Sequence, residues 1–406
     1  MAVGEFPFPK MHPVAGFKIG IASAGIKRPG RKDLVLMEAV SGSTIAGVFT
    51  TNAFCAAPVT ICKERLAAGQ PRICITNTGN ANACTGESGM ANARLVSAEV
   101  AKLLKVSEAD VLPFSTGVIG EPLPVAKILP QLENAVANLK EDNWDDAALG
   151  IMTTDTRPKG ASIVFEHEGQ SIVVTGISKG SGMIKPNMAT MLGYVATNAN
   201  VKQSILQALL REATDKSFNR ITVDGDTSTN DSGVLVATAQ TSLPEITKAE
   251  GAYYEKLRAA VIEVHEQLAK AIVTDGEGAT KFITVNVKGG ANAQEPVKVA
   301  YAVAHSPLIK TAFFASDPNW GRIVAAIGYA GLDGLDASKV RVHLGGVLIV
   351  ENGGRAASYT EAQGQEVMNK AEITIDIDLG RGDFADRVWT TDLSYDYVKI
   401  NADYRS

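Results

Sequence analysis

Cysteine is scarce in this chain. Its four copies in 406 residues, Cys55, Cys62, Cys74 and Cys84, make no C-x-x-C pair and are too few for a disulfide framework, so they read as reduced thiols, mostly buried, in a cytoplasmic protein. The five histidines, His12, His167, His265, His305 and His343, never recur at the i, i+4 spacing of a helical zinc site and have no cysteine close by, so no metal is indicated. No apolar run reaches the roughly eighteen residues that span a bilayer. Pro7, Pro9, Lys10 and Pro13 interrupt the N-terminus, which does not read as a secretory leader. An excess of one charge is also missing: 39 Lys plus Arg against 44 Asp plus Glu leave a net charge of −5. No dense basic block interleaved with aromatics is present, which removes the electrostatic footprint of a nucleic-acid binder. What is present is the composition of an ordinary globular protein, 45% hydrophobic and 20% charged with 38 Gly and 16 Pro, enough for roughly two or three domains and suited to small-molecule substrates.

Strands and helices alternate along the chain. Runs rich in β-branched residues predict strands at Leu34–Val40, Ser43–Thr50, Ile73–Thr76, Ser171–Ile177, Val234–Ala239, Phe282–Val287 and Glu372–Asp378. The clearest helix covers Tyr253 to Val273, where Tyr254, Leu257, Val261, Val264, Leu268 and Ile272 recur at steps of three and four and share one face. Two further helices are expected over Met90–Leu104 and Ile205–Lys216. The class is therefore α/β or α+β, with no internal repeat. A first half ends near Asn187 and a second begins at Thr190.

Gly- and Asx-rich stretches separate these elements: NTGNANACTGESG at 77–89, STGVIGEPLP at 115–124, SKGSGMIKPNMATM at 178–191, TVDGDTSTNDSG at 222–233 and TDGEGATKF at 274–282. Such stretches supply positive-φ backbone and exposed N–H groups, so a site assembled from several loops is expected beside ordinary turns. Gly176–Gly180 matches the G-x-S-x-G nucleophile elbow, but glycines and Pro186 follow where the elbow needs a helix. The acidic run from Asp224 to Asp231 lacks the glycine and glutamate of a calcium loop, with Thr229 and Leu235 in their places. It reads as a loop whose side chains satisfy its own backbone. His265 reads as a hydrogen-bonded residue at the core boundary. Glu277, taken alone, reads as a solvated loop carboxylate, and the tail from Asp396 alternates aromatic and polar residues like a terminal strand that then frays.

Taken together, NTGNANACTG, STGVIGEPLP, KGSGMIKPNMATML, TVDGDTSTND, DGEGATK, SDPNWGRI and YVKINADYRS resemble, in order and over essentially the whole chain, the glutamate N-acetyltransferase family, also called ornithine acetyltransferase. The resemblance implies a two-domain α/β arrangement, described as distinct from the four-layer N-terminal-nucleophile hydrolases that share its chemistry. It also implies self-cleavage between Ala189 and Thr190 into an α chain, 1–189, and a β chain, 190–406, which assemble as an α2β2 heterotetramer. The residue type fits that chemistry, because a main-chain acyl group can migrate from nitrogen to a neighbouring side chain only at Ser, Thr or Cys. Release of the ester leaves a new α-amino group, pKa roughly 7.7–8.0 when unperturbed, beside the Thr190 hydroxyl it can activate.

The same resemblance places the oxyanion hole at Thr116 and Gly117, and substrate contacts at Thr153, Lys179, Thr190, Glu277, Asn401 and Ser406. By residue type Lys179 suits a substrate carboxylate and Glu277 a substrate ammonium. The implied reaction is ping-pong: Thr190 takes acetyl from N-acetylornithine, releases ornithine and passes the acetyl to glutamate. No tightly bound cofactor is implied, and acetyl-CoA is expected as a second acetyl donor. Two other readings share the scaffold: a self-processing aminopeptidase or amidohydrolase in which water accepts the acyl group, and a non-enzymatic amino-acid sensor that binds without turnover.

Overall fold

Alternation of β-branched residues with smaller or polar ones builds strands where the pattern predicts them. In the computed structural model, which describes residues 3–4, 7–185 and 191–403, each of the seven expected strands and three expected helices forms, with ends moved by a few residues. The chain divides into two compact units. The larger holds the described residues of Pro7–Asn219 and Asp226–Ile272, the smaller those of Met1–Phe6, Arg220–Gly225 and Val273–Ser406. This division is one of packing, and it does not follow the covalent division at 189/190 that the resemblance implies.

In the larger unit, β1 (Phe17–Ala22), β2 (Leu34–Ala39), β4 (Ile73–Asn80) and β5 (Val111–Val118) form a four-stranded sheet in that order, with β4 and β5 parallel. A five-stranded sheet runs β3 (Thr44–Phe49), β9 (Ser232–Ala237), β8 (Leu192–Thr197), β7 (Gln170–Lys179), β6 (Lys159–His167). The period of two sorts side chains between faces. Val35 and Met37 point into a core shared with Ile177, Leu192 and Tyr194 of the other sheet, whereas Leu34 and Leu36 meet Val96 and Val100 of the helix Gly86–Leu104. The two sheets also touch through polar atoms, Thr76 Oγ1 lying 2.8 Å from the Tyr194 hydroxyl. Helix Gln203–Lys216 covers β3 and β9, its Gln207 bonding both backbone groups of Gly47, and Leu268 of the helix Ala252–Thr274 packs on Gly176 of β7. All six residues of that helix's expected apolar face are buried. The larger unit alone thus has helix–sheet–sheet–helix layering, so layer count does not set it apart from the four-layer hydrolases.

The smaller unit is built on a six-stranded sheet in the order β13 (Gly354–Arg355), β12 (Val347–Glu351), β11 (Arg341–Leu344), β14 (Glu372–Asp378), β10 (Phe282–Gly290), β15 (Phe384–Thr391). Helices Gln294–His305, Pro307–Phe314 and Trp320–Gly328 bury Val299, Val303, Phe313 and Ile327 against it.

The tail corrects an expectation: Tyr395–Ala402 is a helix, not a strand. Ser394 caps it by accepting from Tyr397 N, and Asp396 lies in the first turn, where the helix dipole favours an acid. The aromatic–polar alternation finds no sheet to bury it, leaving Tyr395 and Val398 exposed.

Candidate active site

The ends of β4 and β5 carry matching Thr-Gly pairs, Thr78–Gly79 opposite Thr116–Gly117 in parallel register, with an irregularity at Gly79/Asn80. Gly117 has φ +136°, and a Cβ built there would lie 2.2 Å from the Gly79 carbonyl carbon and 2.5 Å from Asn80 N. Glycine is therefore required twice over, by conformation and by the close approach of backbone. Asparagine side chains staple the surrounding loops. Asn77 accepts from Ser115 Oγ at 2.5 Å, Asn80 Nδ2 donates to the carbonyls of Glu121 and Pro122, and Asn230 Nδ2 donates to the carbonyls of Ala81 (2.6 Å) and Ser115 (2.8 Å). The Thr116–Gly117 backbone is thereby held in one conformation, which is what preorganised donors for a developing oxyanion need.

Lys179 ends β7 and reaches this strand end, its Nζ donating to Thr116 Oγ1 at 3.3 Å. Just beyond it, Gly180 N donates to Asp155 Oδ1 at 2.7 Å, while Asp155 Oδ2 accepts from Thr153 N at 2.9 Å. Asp155 thus ties the loop of Thr153 to the turn after Lys179. Its carboxylate is fully buried in an ion pair with Lys159 at 2.6 Å. Burial alone would raise its pKa, but the ammonium groups of Lys159 and Lys179 and the hydrogen bonds from Lys159 and Thr153 win and hold it well below the usual carboxylate range.

In the smaller unit Glu277 is 7% exposed and accepts from Asn401 Nδ2 at 2.8 Å, so it is not the solvated loop carboxylate that its local sequence suggests. Asp392 shapes the loop carrying it, accepting from Thr280 N (2.8 Å), Lys281 N (2.9 Å) and Thr280 Oγ1 (2.6 Å). Ser394 Oγ donates to the Gly278 carbonyl at 2.6 Å while it caps the C-terminal helix, and Tyr397 donates its hydroxyl to Asp224 at 3.2 Å. Beneath this loop cluster Lys310 is buried and donates to the Thr391 carbonyl and the Thr390 hydroxyl. Burial pushes its ammonium down to about 8 against the opposing pull of Asp392 and Asp224.

Of the sequence-predicted residues, Thr116, Gly117, Thr153 and Lys179 come together in the larger unit, and Glu277 and Asn401 in the smaller. Ala189, Thr190 and Ser406 lie outside the described residues. Ser178 is buried within β7, opposite Lys159, so no nucleophile elbow exists there. The 222–231 stretch satisfies itself as expected, Gly225 N donating to Thr222 Oγ1 and Asn230 N to Ser228 Oγ. Among the described residues no cluster could hold a metal ion, and no helix is long and apolar enough to cross a membrane. Cys62 and Cys74 are buried, Cys55 is half-buried and Cys84 exposed, all as free thiols. Sequence reasoning missed Asp155, Asn230, Asp392 and Ser394. Each acts through a contact distant along the chain; only Asn230 lies in one of the Gly-rich stretches, and no local signal marks the other three.

These features define a mixed α/β protein whose polar loops, stapled by asparagine and aspartate, carry the candidate chemistry. The chain belongs to the ArgJ family, whose model matches residues 18–406. Over 406 residues, all of each chain, it is 62% identical to the arginine biosynthesis bifunctional protein ArgJ of Pseudomonas fluorescens (strain Pf0-1). It is 63% identical, again over the whole of both chains, to the protein of the same name from Pseudomonas syringae pv. tomato. Among solved structures it is similar to the arginine biosynthesis bifunctional protein argJ of Bacillus halodurans, at 38% identity over 52% of this chain and 97% of that one, TM-score 0.49. It is also similar to the ornithine acetyltransferase complexed with ornithine from Mycobacterium tuberculosis, at 37% identity over 44% of this chain and 94% of that one, TM-score 0.41.

Proposed function

We propose that this chain is an acetyltransferase of arginine biosynthesis that cleaves itself before Thr190 and carries acetyl on that residue from N-acetylornithine to glutamate. The observation that carries the reading is full-length kinship with bifunctional arginine-biosynthesis proteins at 62% and 63% identity. The geometry supports it at the strand end, where backbone contact admits nothing larger than glycine at 117.

In the mechanism, cleavage frees the Thr190 α-amine, which takes the hydroxyl proton as Oγ attacks the acetyl carbonyl. The Thr116–Gly117 segment receives the negative charge on the carbonyl oxygen; loss of one such donor costs on the order of 3–4 kcal/mol of barrier stabilisation. Ornithine leaves with the proton, glutamate enters, and the same steps run in reverse onto its amine. Lys179 and Thr153 serve substrate polar groups with Lys179 taking the carboxylate, Glu277 takes the ammonium of ornithine, and Asn401 holds Glu277 in place. Ser406 is a further substrate contact. Acetyl-CoA serves as a second donor to Thr190, giving N-acetylglutamate without ornithine release. The two chains assemble as a cytoplasmic α2β2 heterotetramer.

Incubation with N-acetylornithine alone tests the reading. Intact mass should show one acetyl group on the chain beginning at Thr190, discharged on addition of glutamate with formation of N-acetylglutamate. Discharge to water at the same rate without glutamate would point to the amidohydrolase, and binding with no acetylation to the sensor.

A further inference from the structure

The strand end at 390–394 has a partner that the proposed chemistry does not use. Lys310, in the helix Pro307–Phe314, is 4% exposed. An ammonium carries three N–H donors, and this one aims them at two consecutive residues. It donates to the Thr391 carbonyl, to the Thr391 hydroxyl at 3.3 Å and to the Thr390 hydroxyl at 3.2 Å. Leu393 N donates back to the Lys310 carbonyl at 3.2 Å. One residue thus grips the chain on both sides of Asp392.

The Glu277 loop rests on that strand end from both of its own sides. Before Glu277, a Cβ at Gly276 would lie 3.0 Å from Thr391 Cγ2. After it, Ser394 Oγ donates to the Gly278 carbonyl, and Asp392 accepts from Thr280 N, Thr280 Oγ1 and Lys281 N. Every one of these contacts lies within the smaller unit. A contact that needed only burial would be met as well by an aliphatic side chain, because a buried ammonium carries a desolvation cost even when it is paired. What the ammonium adds is direction: its bonds fix where Thr391 and Asp392 stand, and through them the loop that carries Glu277.

We propose that Lys310 is a positioning residue for N-acetylornithine, clamping residues 390–393 so that the Glu277 carboxylate meets the δ-ammonium of the substrate; the inference rests on the reading that Glu277 takes that ammonium. Glu277 is held from two directions, by this clamp and by Asn401 Nδ2 at 2.8 Å. With the clamp released the carboxylate keeps Asn401 but loses its fixed backbone. The loss then falls on binding of the charged end of the substrate and not on acyl transfer.

The test is steady-state kinetics of the full enzyme at saturating glutamate, with N-acetylornithine beside N-acetylnorvaline, which has the same carbon chain without the δ-amine. Lys310→Met should raise KM for N-acetylornithine about tenfold and change its kcat by no more than about twofold. For N-acetylnorvaline both constants should stay within about twofold of the wild type. Thr390→Val removes one acceptor of the clamp at nearly constant shape, and should give the same pattern at about threefold. It carries the test by itself if the Lys310→Met chain does not fold. An equal rise for the two compounds, or no rise for N-acetylornithine, would overturn the proposal alone. A wild type that uses both compounds equally well would overturn the Glu277 assignment and this proposal with it. A wild type that takes acetyl from neither would overturn the acetyltransferase reading itself.

Discussion

Gly117 is the residue whose replacement has the most direct consequence. At φ +136°, with backbone 2.2 Å from any Cβ, Gly117→Ala must part β5 from the end of β4. Steady-state kinetics should show kcat down on the order of 10²–10³, the loss typical of one oxyanion donor. Thr116→Ser keeps the hydroxyl that Lys179 reaches and should cost far less. Asp155 sets a stability limit instead. Asp155→Asn leaves the Lys159 ammonium buried without its counter-charge, and chemical denaturation should record a loss of about 3–5 kcal/mol. His265 sets the acid limit. Burial among Phe218 and the helix core holds it down to about 4, with its ring nitrogen at 2.8 Å from the Val261 carbonyl. Between that value and the ordinary 6.5 the unfolded chain binds the extra proton, so this contribution is complete above about pH 6.5 and is lost as pH falls towards about 4. Urea midpoints at pH 5 and 7 should therefore differ less in His265→Leu than in the wild type.

Among the elements, the C-terminal helix governs the loop of Glu277. Gly278, at φ +69°, would place a Cβ 2.4 Å from Tyr397 N, and Ser394 bridges the same two elements. Gly278→Ala should push the helix off the loop and raise KM for N-acetylornithine by roughly tenfold, while Ser394→Ala costs about 1 kcal/mol of capping with a smaller rise. This helix also marks where sequence reading stopped. The period of two in YDYVKIN is real, but Ser394 and Asp396, which decide for helix, are local cues that count only when no neighbouring strand is available. The six-residue face from Tyr254 to Ile272 was legible because burial on one side of a long helix leaves a strong period. β8 went unread and β9 was read two residues out of place, since both strands are buried on every residue and carry no alternation. The site was legible as a set of loops, and by resemblance as named residues. The asparagine and aspartate staples were not, because Asn230 meets Ser115 and Asp392 meets Thr280 across more than a hundred residues of chain.

For the molecule as a whole, the proposed cut divides the strands of one sheet between two chains. β3, β6 and β7 precede it and β8 and β9 follow it, and β7 pairs with β8 from Val174–Thr197 to Lys179–Leu192. Six paired residues, flanked by the parallel β8–β9 ladder, bind the halves as any two strands of a sheet are bound. After cleavage the two chains should co-elute on size exclusion and part only when the larger unit unfolds. Separation of the halves in native buffer would contradict that packing. The central claim is that chain scission and acetyl transfer share Thr190, and one measurement tests both: intact mass with N-terminal reading, beside acetyl transfer to glutamate, for wild type and Thr190→Ala. The expected result is a wild type in two chains, the second beginning at Thr190 and active, and a variant in one inactive chain. A wild type that is one unbroken chain and fully active, or a variant that keeps its activity, would contradict it.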